Sequence, residues 1–247
     1  MKTDLDLLAF GPHPDDVELS CGGWLALAGR QGHRVGVIDL TRGELATNGT
    51  PAERADEAQA AAEVLGLTVR ENLELPDGDL RAEDADQLAA IVETIRHHRP
   101  RLVLGPWTQA RHPDHAAAAA LIHRAAFMAG LVKYRPDLGP SHRPLRLVAY
   151  PQRHEVVPSF VVDVTEVHSQ KTAAIRCHVS QFGGGASPTL INSPVGFDAF
   201  TTRDRYWGAS IGVAFAEPYI VAGPLPVSDP ITHFIEHPMP PALVPSR

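Results

Sequence analysis

Short apolar segments alternate with helix-forming segments through the first half of this chain, and the alternation restricts the fold to a few classes. The predicted strands are 5–10, 34–40, 69–73 and 101–105. The helices predicted to follow them are 22–30, 51–65, 83–98 and 113–127. Each helix is long enough to cross between two parallel strands, and such crossovers are right-handed. We therefore expect an α/β fold, with a doubly wound, mostly parallel sheet that carries helices on both faces and resembles a Rossmann fold.

The pattern is less regular after about residue 130, where three proline residues follow one another closely. The strands predicted there are 145–150, 159–164 and 217–221, and the helices are 167–180 and a segment through 203–207. Neither a repeat nor a linker interrupts residues 1–227, which we expect to form a single domain. Residues 228–247 are rich in proline and are expected to form an extended or disordered tail.

Composition excludes several classes of protein. The chain has 22 Lys and Arg against 29 Asp and Glu, a net charge of −7, whereas nucleic-acid-binding proteins usually present a basic face. It has no apolar stretch of about 18 residues, so we expect no membrane-spanning helix. Acidic residues fall within the first six positions, where a secretion signal would be apolar. Its two cysteines, Cys21 and Cys177, do not suggest a disulfide framework, and we expect a cytoplasmic protein.

Two histidine-containing motifs stand where a predicted strand ends and a helix begins. The first, HPDD, follows strand 5–10, and the second, HPDH, follows strand 101–105. The side chains that they offer are His13, Asp15 and Asp16 in the first motif, and His112, Asp114 and His115 in the second. In an open α/β sheet, ligands bind at the carboxyl ends of the strands, so we expect both motifs to face one crevice.

Three of these side chains suit a metal ion. His13 and Asp16 lie three residues apart in a tight turn, and His115 lies in the first turn of the following helix. Two imidazoles and one carboxylate are ligands typical of a catalytic zinc with one open position. Fe(II) uses the same type of site, so the sequence predicts one metal ion per chain, zinc or Fe(II).

The other three side chains can assist the chemistry. Asp15 is adjacent to a proposed ligand, points elsewhere and can accept a proton from water. A protonated His112 can donate to an oxyanion or protonate a leaving amine. Asp114 can hold one of the ligand imidazoles in the required tautomer.

Other functions fit parts of the pattern. Either motif alone is more typical of a turn or a helix cap, and a sugar-binding protein without catalysis would use its histidines in that way. A metallophosphoesterase would need a second cluster of carboxylates, which the sequence does not show at suitable spacing. No GxGxxG or Walker spacing is present, so a nucleotide site is rejected.

The two motifs resemble the signatures of the zinc-dependent de-N-acetylases, a family that includes LmbE-like proteins and the GlcNAc-phosphatidylinositol deacetylase. The similarity continues through VIDLTRGELATNGTPAERADEA (37–58), NLELPDGDL (72–80) and IGVAFAEPY (211–219), and covers most of residues 5–222. It is strongest to members that deacetylate N-acetylglucosaminyl-malate in bacillithiol synthesis. The resemblance implies that 1–227 is a metal-dependent deacetylase domain acting on a small amino-sugar substrate, without nucleic-acid or membrane partners. It also implies a homo-oligomer, since relatives form hexamers.

The resemblance adds residues that bind substrate. Thr50, Pro51 and Glu53 predict a helix start with a capping box, and Arg54 lies in its first turn. An arginine is mildly unfavourable there, and a bidentate contact with a malate carboxylate, as the family implies, would explain its position. A solvated surface arginine is the alternative. In the preceding loop, Glu44 and Asn48 are expected to bind sugar hydroxyls, unless the loop residues only form turns.

The chain also departs from the family. Some relatives place an oxyanion-stabilising tyrosine in a segment that here reads NSPVGF (192–197), so the predicted donor beside the metal is either His112 alone or a group elsewhere in the chain. Arg153 and His154 follow a predicted strand and lie either at the rim of the site or in an ordinary loop. A sister activity, hydrolysis of the amide in cysteinyl-glucosamine S-conjugates, would use the same centre and is kept as an alternative.

Overall fold

A computed structural model describes residues 4–183 and 187–238 of the chain, and its helices and strands alternate through most of that length. The elements are β1 (Leu7–Gly11), α1 (Asp16–Arg30), β2 (Val35–Thr41), α2 (Pro51–Leu65), β3 (Val69–Leu75), α3 (Ala85–His98), β4 (Leu102–Pro106), α4 (Pro113–Ala129), β5 (Arg146–Tyr150), β6 (Phe160–Asp163), α5 (His168–Cys177), α6 (Val179–Phe182), α7 (Pro194–Ile211), β7 (Ala216–Val221) and α8 (Pro230–Glu236). Two short 3-10 turns, Pro136–Leu138 and Thr165–Val167, complete the described secondary structure.

The strands form one sheet in the order β3-β2-β1-β4-β5-β7-β6. The five strands from β3 to β5 are parallel, and β7 runs antiparallel to both β5 and β6. The predicted mostly parallel α/β sheet is therefore confirmed. The chain winds outward from β1 to β3 and then returns to place β4 beside β1. This reversal opens a crevice at the carboxyl ends of β1 and β4, the position at which such sheets bind ligands.

Both faces of the sheet are covered. Because consecutive side chains of a strand point to opposite faces, β1 contributes to a buried cluster on each face. Leu8 and Phe10 of β1 pack with α3 and α4 in one cluster of buried residues. Leu7 and Ala9 pack with α1 in a second cluster. The helices α1, α2 and α5 lie against one another on that second face.

Some predicted element boundaries are wrong. The first helix begins at Asp16 and not at residue 22, and Gly22 and Gly23 lie inside it. A side chain at Gly23 would collide with Glu217 and Val164, so the small residues allow the helix to pack closely. The helix predicted over 167–180 is divided at His178 into α5 and α6, and the one predicted through 203–207 spans Pro194–Ile211.

The tail contains a helix that the proline content concealed. The prediction that 228–247 is extended or disordered is wrong over Pro230–Glu236, where Asp229 accepts hydrogen bonds from the N–H groups of Ile231 and Thr232 and caps α8. Residues 239–247 of that tail, and residues 184–186, lie outside the described residues. The division into a 1–227 domain and a tail stays a prediction. None of the helices that the structure describes combines the length and the apolar character needed to cross a membrane.

Candidate metal centre

The two histidine motifs meet at the carboxyl edge of the sheet. The adjacent parallel strands β1 and β4 start in register, with Leu7 opposite Leu102, and so end side by side. Residues 12–15 connect β1 to α1, and residues 107–112 connect β4 to α4. Side chains from both connections line one cavity of about 410 Å³. The sheet topology therefore brings together two sequence segments that are about a hundred residues apart.

His13, Asp16 and His115 direct their polar atoms at one position. Asp16 Oδ2 lies 3.2 Å from His13 Nδ1 and 3.2 Å from His115 Nε2. The three ligand atoms all lie within 4.8 Å of one another, close enough to share one cation. Two imidazole nitrogens and a carboxylate oxygen are the donor set of a catalytic zinc site. The side chains present therefore fit a divalent metal ion.

The charges at this position also favour a cation. Burial would raise the pKa of Asp16, but the His115 and His13 imidazoles hold it well below its usual range. Burial would lower the pKa of His13, but hydrogen bonds to Asp114, Asp16 and Asp77 raise it well above its usual range. The pKa of His115 is likewise raised by Asp16 against the effect of burial. Two rings that attract protons around one ionised carboxylate would accept a metal ion in place of those protons.

A second layer of polar side chains fixes both rings. His13 Nε2 lies 3.0 Å from Asp77 Oδ1 and 3.2 Å from Asp114 Oδ2. Asp114 therefore contacts a ligand imidazole, as the sequence predicts. His115 Nδ1 lies 2.6 Å from the side-chain amide of Gln152, which also contacts Asp16 Oδ1 at 3.2 Å. Such contacts set the tautomer and orientation of ligand histidines, so these side chains prepare the site for a metal.

Sequence reasoning missed Asp77 and Gln152. Asp77 lies in a PDG segment that reads only as a turn, and the turn reaches the site because Asp114 Oδ2 accepts the N–H of Gly78 at 2.8 Å. Gln152 follows β5, which adjoins β4, and has a positive φ of 53° that is uncommon for a residue with a side chain. Its position just beyond a central strand was the available signal.

We expect Asp77→Ala to weaken zinc binding by about 10- to 100-fold, because His13 loses a carboxylate that orients its ring. Competition with a chromophoric chelator measures the dissociation constant. Asp79→Ala is the matched control, because Asp79 is exposed and its side chain pairs with Arg81. Equal zinc affinity in Asp77→Ala and the parent would show that Asp77 does not support the metal centre.

Asp15 is placed beside the three ligands without joining them. It is the N-cap residue of α1, with the unusual backbone angles φ 113° and ψ −27°. Its carboxylate lines the cavity and lies 3.3 Å from the Arg54 guanidinium. Burial raises the pKa of Asp15 to about 6, although the Arg54 charge opposes the rise. A carboxylate with that pKa can hold a proton for part of a reaction near neutral pH.

Among the described residues, the Nδ1 atom of His112 has a hydrogen-bond partner and the Nε2 atom has none. His112 is the N-cap of α4, and its Nδ1 accepts the N–H of Asp114 at 3.2 Å. Burial, and repulsion from His13 and His115, lower the pKa of His112 below its ordinary value. The ring is therefore favoured in the neutral form with the proton on Nε2, which differs from the protonated donor of the sequence hypothesis. A neutral Nε2–H group on the cavity wall can still donate a hydrogen bond.

Arg54 lies in α2, as predicted, but it is not a solvated arginine. It is 3% exposed and lines the cavity. Its guanidinium donates to the carbonyl oxygens of Pro14 and Gly43 and to Asp15 Oδ2. Most of its N–H groups therefore donate to acceptors within the protein. The capping box at the start of this helix is confirmed.

Glu44 and Asn48 are not among the side chains that line the cavity, and the sugar contacts expected for them stay a prediction. Asn48 uses its amide on the backbone of Ser187, donating at 2.9 Å and accepting at 3.2 Å. Glu44 accepts the backbone N–H of Asp77 at 3.1 Å, which helps to hold the turn beside His13. Both residues hold loops around the site.

The mouth of the cavity combines positive charge with apolar surface. Arg111, Arg153 and His154 line it, so Arg153 and His154 lie on the cavity wall and not in a remote loop. Within the described part of the chain, neither arginine has a carboxylate at ion-pair distance. Burial and the nearby Arg111 charge lower the pKa of Arg153, whose guanidinium lies 5.2 Å above the ring of Phe200. Gln181, unassigned from sequence, and Ile191 also line this cavity.

Known proteins share this arrangement of sequence and fold. The conserved protein TT1542 from Thermus thermophilus is 41% identical to this chain in sequence. Its crystal structure matches with a TM-score of 0.82, and the match covers 90% of this chain and 97% of that chain. A diacetylchitobiose deacetylase from Thermococcus kodakarensis is 32% identical over 71% of this chain and 70% of its own length. A probable N-acetyl-alpha-D-glucosaminyl L-malate deacetylase 2 from Bacillus cereus is 29% identical over 71% of this chain and 83% of its own length.

The family model for PIG-L, the GlcNAc-PI de-N-acetylase, matches residues 8–126. The matched region contains both histidine motifs and the strands and helices that carry them. With the candidate metal ligands converging as described and the relatives covering most of the sequence, the chain belongs to the PIG-L family of de-N-acetylases.

Proposed function

We propose that this enzyme, an amide hydrolase like its deacetylase relatives, removes acetate from an N-acetylglucosamine conjugate in a zinc-dependent reaction. The most specific substrate that we propose is N-acetylglucosaminyl-malate, which would place the enzyme in bacillithiol synthesis. The observation that carries the proposal is the juxtaposition, in one cavity, of the ligand cluster His13, Asp16 and His115 with the buried carboxylate of Asp15. A cytoplasmic location and a hexamer remain predictions.

The metal is assigned from the donor set. His13 Nδ1, Asp16 Oδ2 and His115 Nε2 would hold it. When bound there, a zinc ion supplies Lewis-acid polarisation of the acetamide carbonyl and lowers the pKa of adjacent water. Fe(II) accepts the same donors, so metal analysis after anaerobic and aerobic purification decides between the two ions.

The protein side chains manage the protons of the reaction. Asp15, ionised above its raised pKa of about 6, accepts a proton as the water oxygen attacks the acetamide carbon. The Nε2–H group of His112 donates to the carbonyl oxygen as negative charge develops on it. Asp15 then returns its proton to the sugar nitrogen while the C–N bond breaks, and acetate and the free amine are released.

The rim of the cavity favours an anionic group next to the sugar. Arg111 and Arg153 carry positive charge at the mouth of the site, although the whole chain has a net charge of −7. Two arginines that repel each other are stabilised by a ligand with carboxylates between them. Malate has two carboxylates, whereas diacetylchitobiose is neutral, so these arginines support the malate conjugate.

Acetate release tests the substrate assignment. N-acetylglucosaminyl-malate and N,N′-diacetylchitobiose present the same acetamide, and we expect kcat/KM to be at least about tenfold higher for the malate conjugate. Arg111→Ala should reduce the difference, whereas Arg101→Ala, an exposed arginine remote from the cavity, should not. Preference for diacetylchitobiose would contradict the malate assignment and leave the deacetylase intact.

Two further measurements separate the alternative functions. Cleavage of a cysteinyl-glucosamine S-conjugate, without acetate release from the malate conjugate, would identify the sister amidase. Binding of N-acetylglucosamine conjugates without turnover of any amide by the zinc-loaded protein would identify a sugar-binding protein.

A further inference from the structure

We propose that Arg54 is a positioning residue, which holds the turn containing Asp15 so that the carboxylate faces the reaction centre. This role differs from the substrate-carboxylate contact that the sequence resemblance assigns to Arg54. It rests on the proposed function in one respect, since Asp15 is taken as the group that accepts the proton.

The turn before α1 needs an external support. Asp15 has φ 113°, a value that residues with side chains rarely adopt, and its own side chain makes no cap hydrogen bond to α1. Strained backbone of this kind persists where neighbouring groups hold it in place. The relevant neighbours are two residues of other elements, Thr41 at the end of β2 and Arg54 in α2.

The two supports grip opposite ends of the turn. The Thr41 hydroxyl donates to the Pro12 carbonyl at 2.9 Å. The Arg54 Nη2 group donates both to the Pro14 carbonyl and to Asp15 Oδ2, the latter at 3.3 Å. Arg54 therefore contacts both the backbone carbonyl that precedes the strained residue and the carboxylate of that residue, and a single rigid guanidinium fixes the two relative to each other.

The loop after β2 is shaped around this guanidinium. Arg54 Nη1 donates to the Gly43 carbonyl at 3.1 Å. A Cβ atom at Gly43 would lie 1.7 Å from Nη1, so only glycine leaves room for the arginine head group at that place. Gly43 also has φ 66°, and its N–H donates to the Thr41 hydroxyl at 3.2 Å. The loop, Thr41 and Arg54 thus form one connected hydrogen-bonded support.

The same contacts leave little of Arg54 for a substrate. The residue is 3% exposed, and its Nε atom is buried without a hydrogen-bond partner among the described residues. A bidentate contact with a carboxylate needs two parallel N–H groups on one edge of the fork. Here one edge is buried at Nε, and Nη2 already holds Pro14 and Asp15.

A double-mutant cycle with Asp15 tests the proposal. We expect Arg54→Met to lower kcat about 100-fold with KM changed by less than about threefold, because the base is displaced and the substrate contacts remain. Asp15→Asn combined with Arg54→Met should be no less active than Asp15→Asn alone, within about threefold, because Arg54 acts through Asp15. Arg54→Lys should recover part of the lost kcat, since one ammonium group can replace only some of the three contacts.

Arg96→Met is the matched control. Arg96 is also 3% exposed, and its guanidinium binds backbone carbonyls remote from the cavity, including those of Ala129 and Leu131. Its replacement should lower the melting temperature without lowering kcat at temperatures where the variant is folded. If Arg54→Met instead raises KM about tenfold at unchanged kcat, or if its loss multiplies with that of Asp15→Asn, the positioning role is wrong.

A structural readout separates this proposal from the deacetylase assignment. In crystals of Arg54→Met we expect the Asp15 carboxylate to leave the position that it has in the parent protein, whatever the substrate. An unmoved Asp15 in that variant would overturn the proposal. If the parent protein releases no acetate, the proposed function is wrong. The crystallographic test of the Asp15 position still applies in that case.

Discussion

Asp15→Asn is expected to lower kcat about 1,000-fold while the protein still binds one metal ion per chain, because the proton acceptor is lost and the ligands are not. Asparagine suits this test since it is nearly isosteric with aspartate and tolerates the positive φ at position 15 better than alanine. Its amide cannot take a proton from water. The loss should therefore fall on the chemical step, with KM changed little.

Steady-state kinetics and metal analysis of the same preparation measure this prediction. Asp198→Asn is a suitable control, because Asp198 lies in α7 outside the cavity of the metal centre. If Asp15→Asn hydrolyses the substrate as fast as the parent, Asp15 is not the base. If it loses the metal, Asp15 belongs to the ligand set.

The same carboxylate predicts the acid side of the pH profile. A general base acts in its ionised form, so kcat/KM should be constant above the Asp15 pKa of about 6 and fall as pH decreases through it. The expected slope is about tenfold per pH unit on the acid side. A profile that stays flat down to pH 4.5, measured with metal content held constant, would be inconsistent with a base of this pKa.

His115→Ala is expected to abolish metal binding at micromolar zinc, which is the largest effect that we predict on the metal centre. The change removes one of three protein ligands and leaves Asp16 with a single imidazole neighbour in the cluster. The contact of Gln152 with His115 is lost as well. Metal content should fall from about one ion per chain to less than about 0.1.

Elemental analysis after dialysis measures this loss, and a chelator competition assay gives the change in affinity. His123→Ala is the matched control, because His123 lies on the exposed side of the same helix, α4. Full metal content in His115→Ala would remove His115 from the ligand set. Equal loss in His123→Ala would point to unfolding of the helix as the cause.

The convergence of the two motifs could be predicted from sequence because it depends only on strand order. His13 and His115 follow strands that become neighbours in a doubly wound sheet, and such neighbours end at the same edge. The α2 helix could also be predicted from the sequence, because Thr50 and Glu53 form its capping box through local contacts. Local patterns and parallel topology were thus sufficient for the parallel part of the sheet and for the convergence of the two motifs.

The supporting residues could not be predicted, because their partners are distant in sequence. Arg54 was interpreted as a substrate ligand, yet its acceptors include Gly43 and Pro14, which only the folded loops bring to it. Asn48 was predicted to bind a sugar hydroxyl, and nothing in the sequence indicated that its amide would hydrogen-bond the backbone of Ser187. Asp77 appeared to be part of a turn and no more, although it contacts His13. In each case the observed contact is a tertiary one between residues distant in sequence, and such contacts have no local signature.

The most direct test of the metal centre is anomalous diffraction from crystals grown with zinc and recorded on both sides of the zinc absorption edge. We expect one strong peak per chain, about 2.0–2.2 Å from His13 Nδ1, Asp16 Oδ2 and His115 Nε2, with Asp15 not coordinated. A crystal without zinc at this position, or with zinc bound through Asp15 in place of Asp16, would contradict the account.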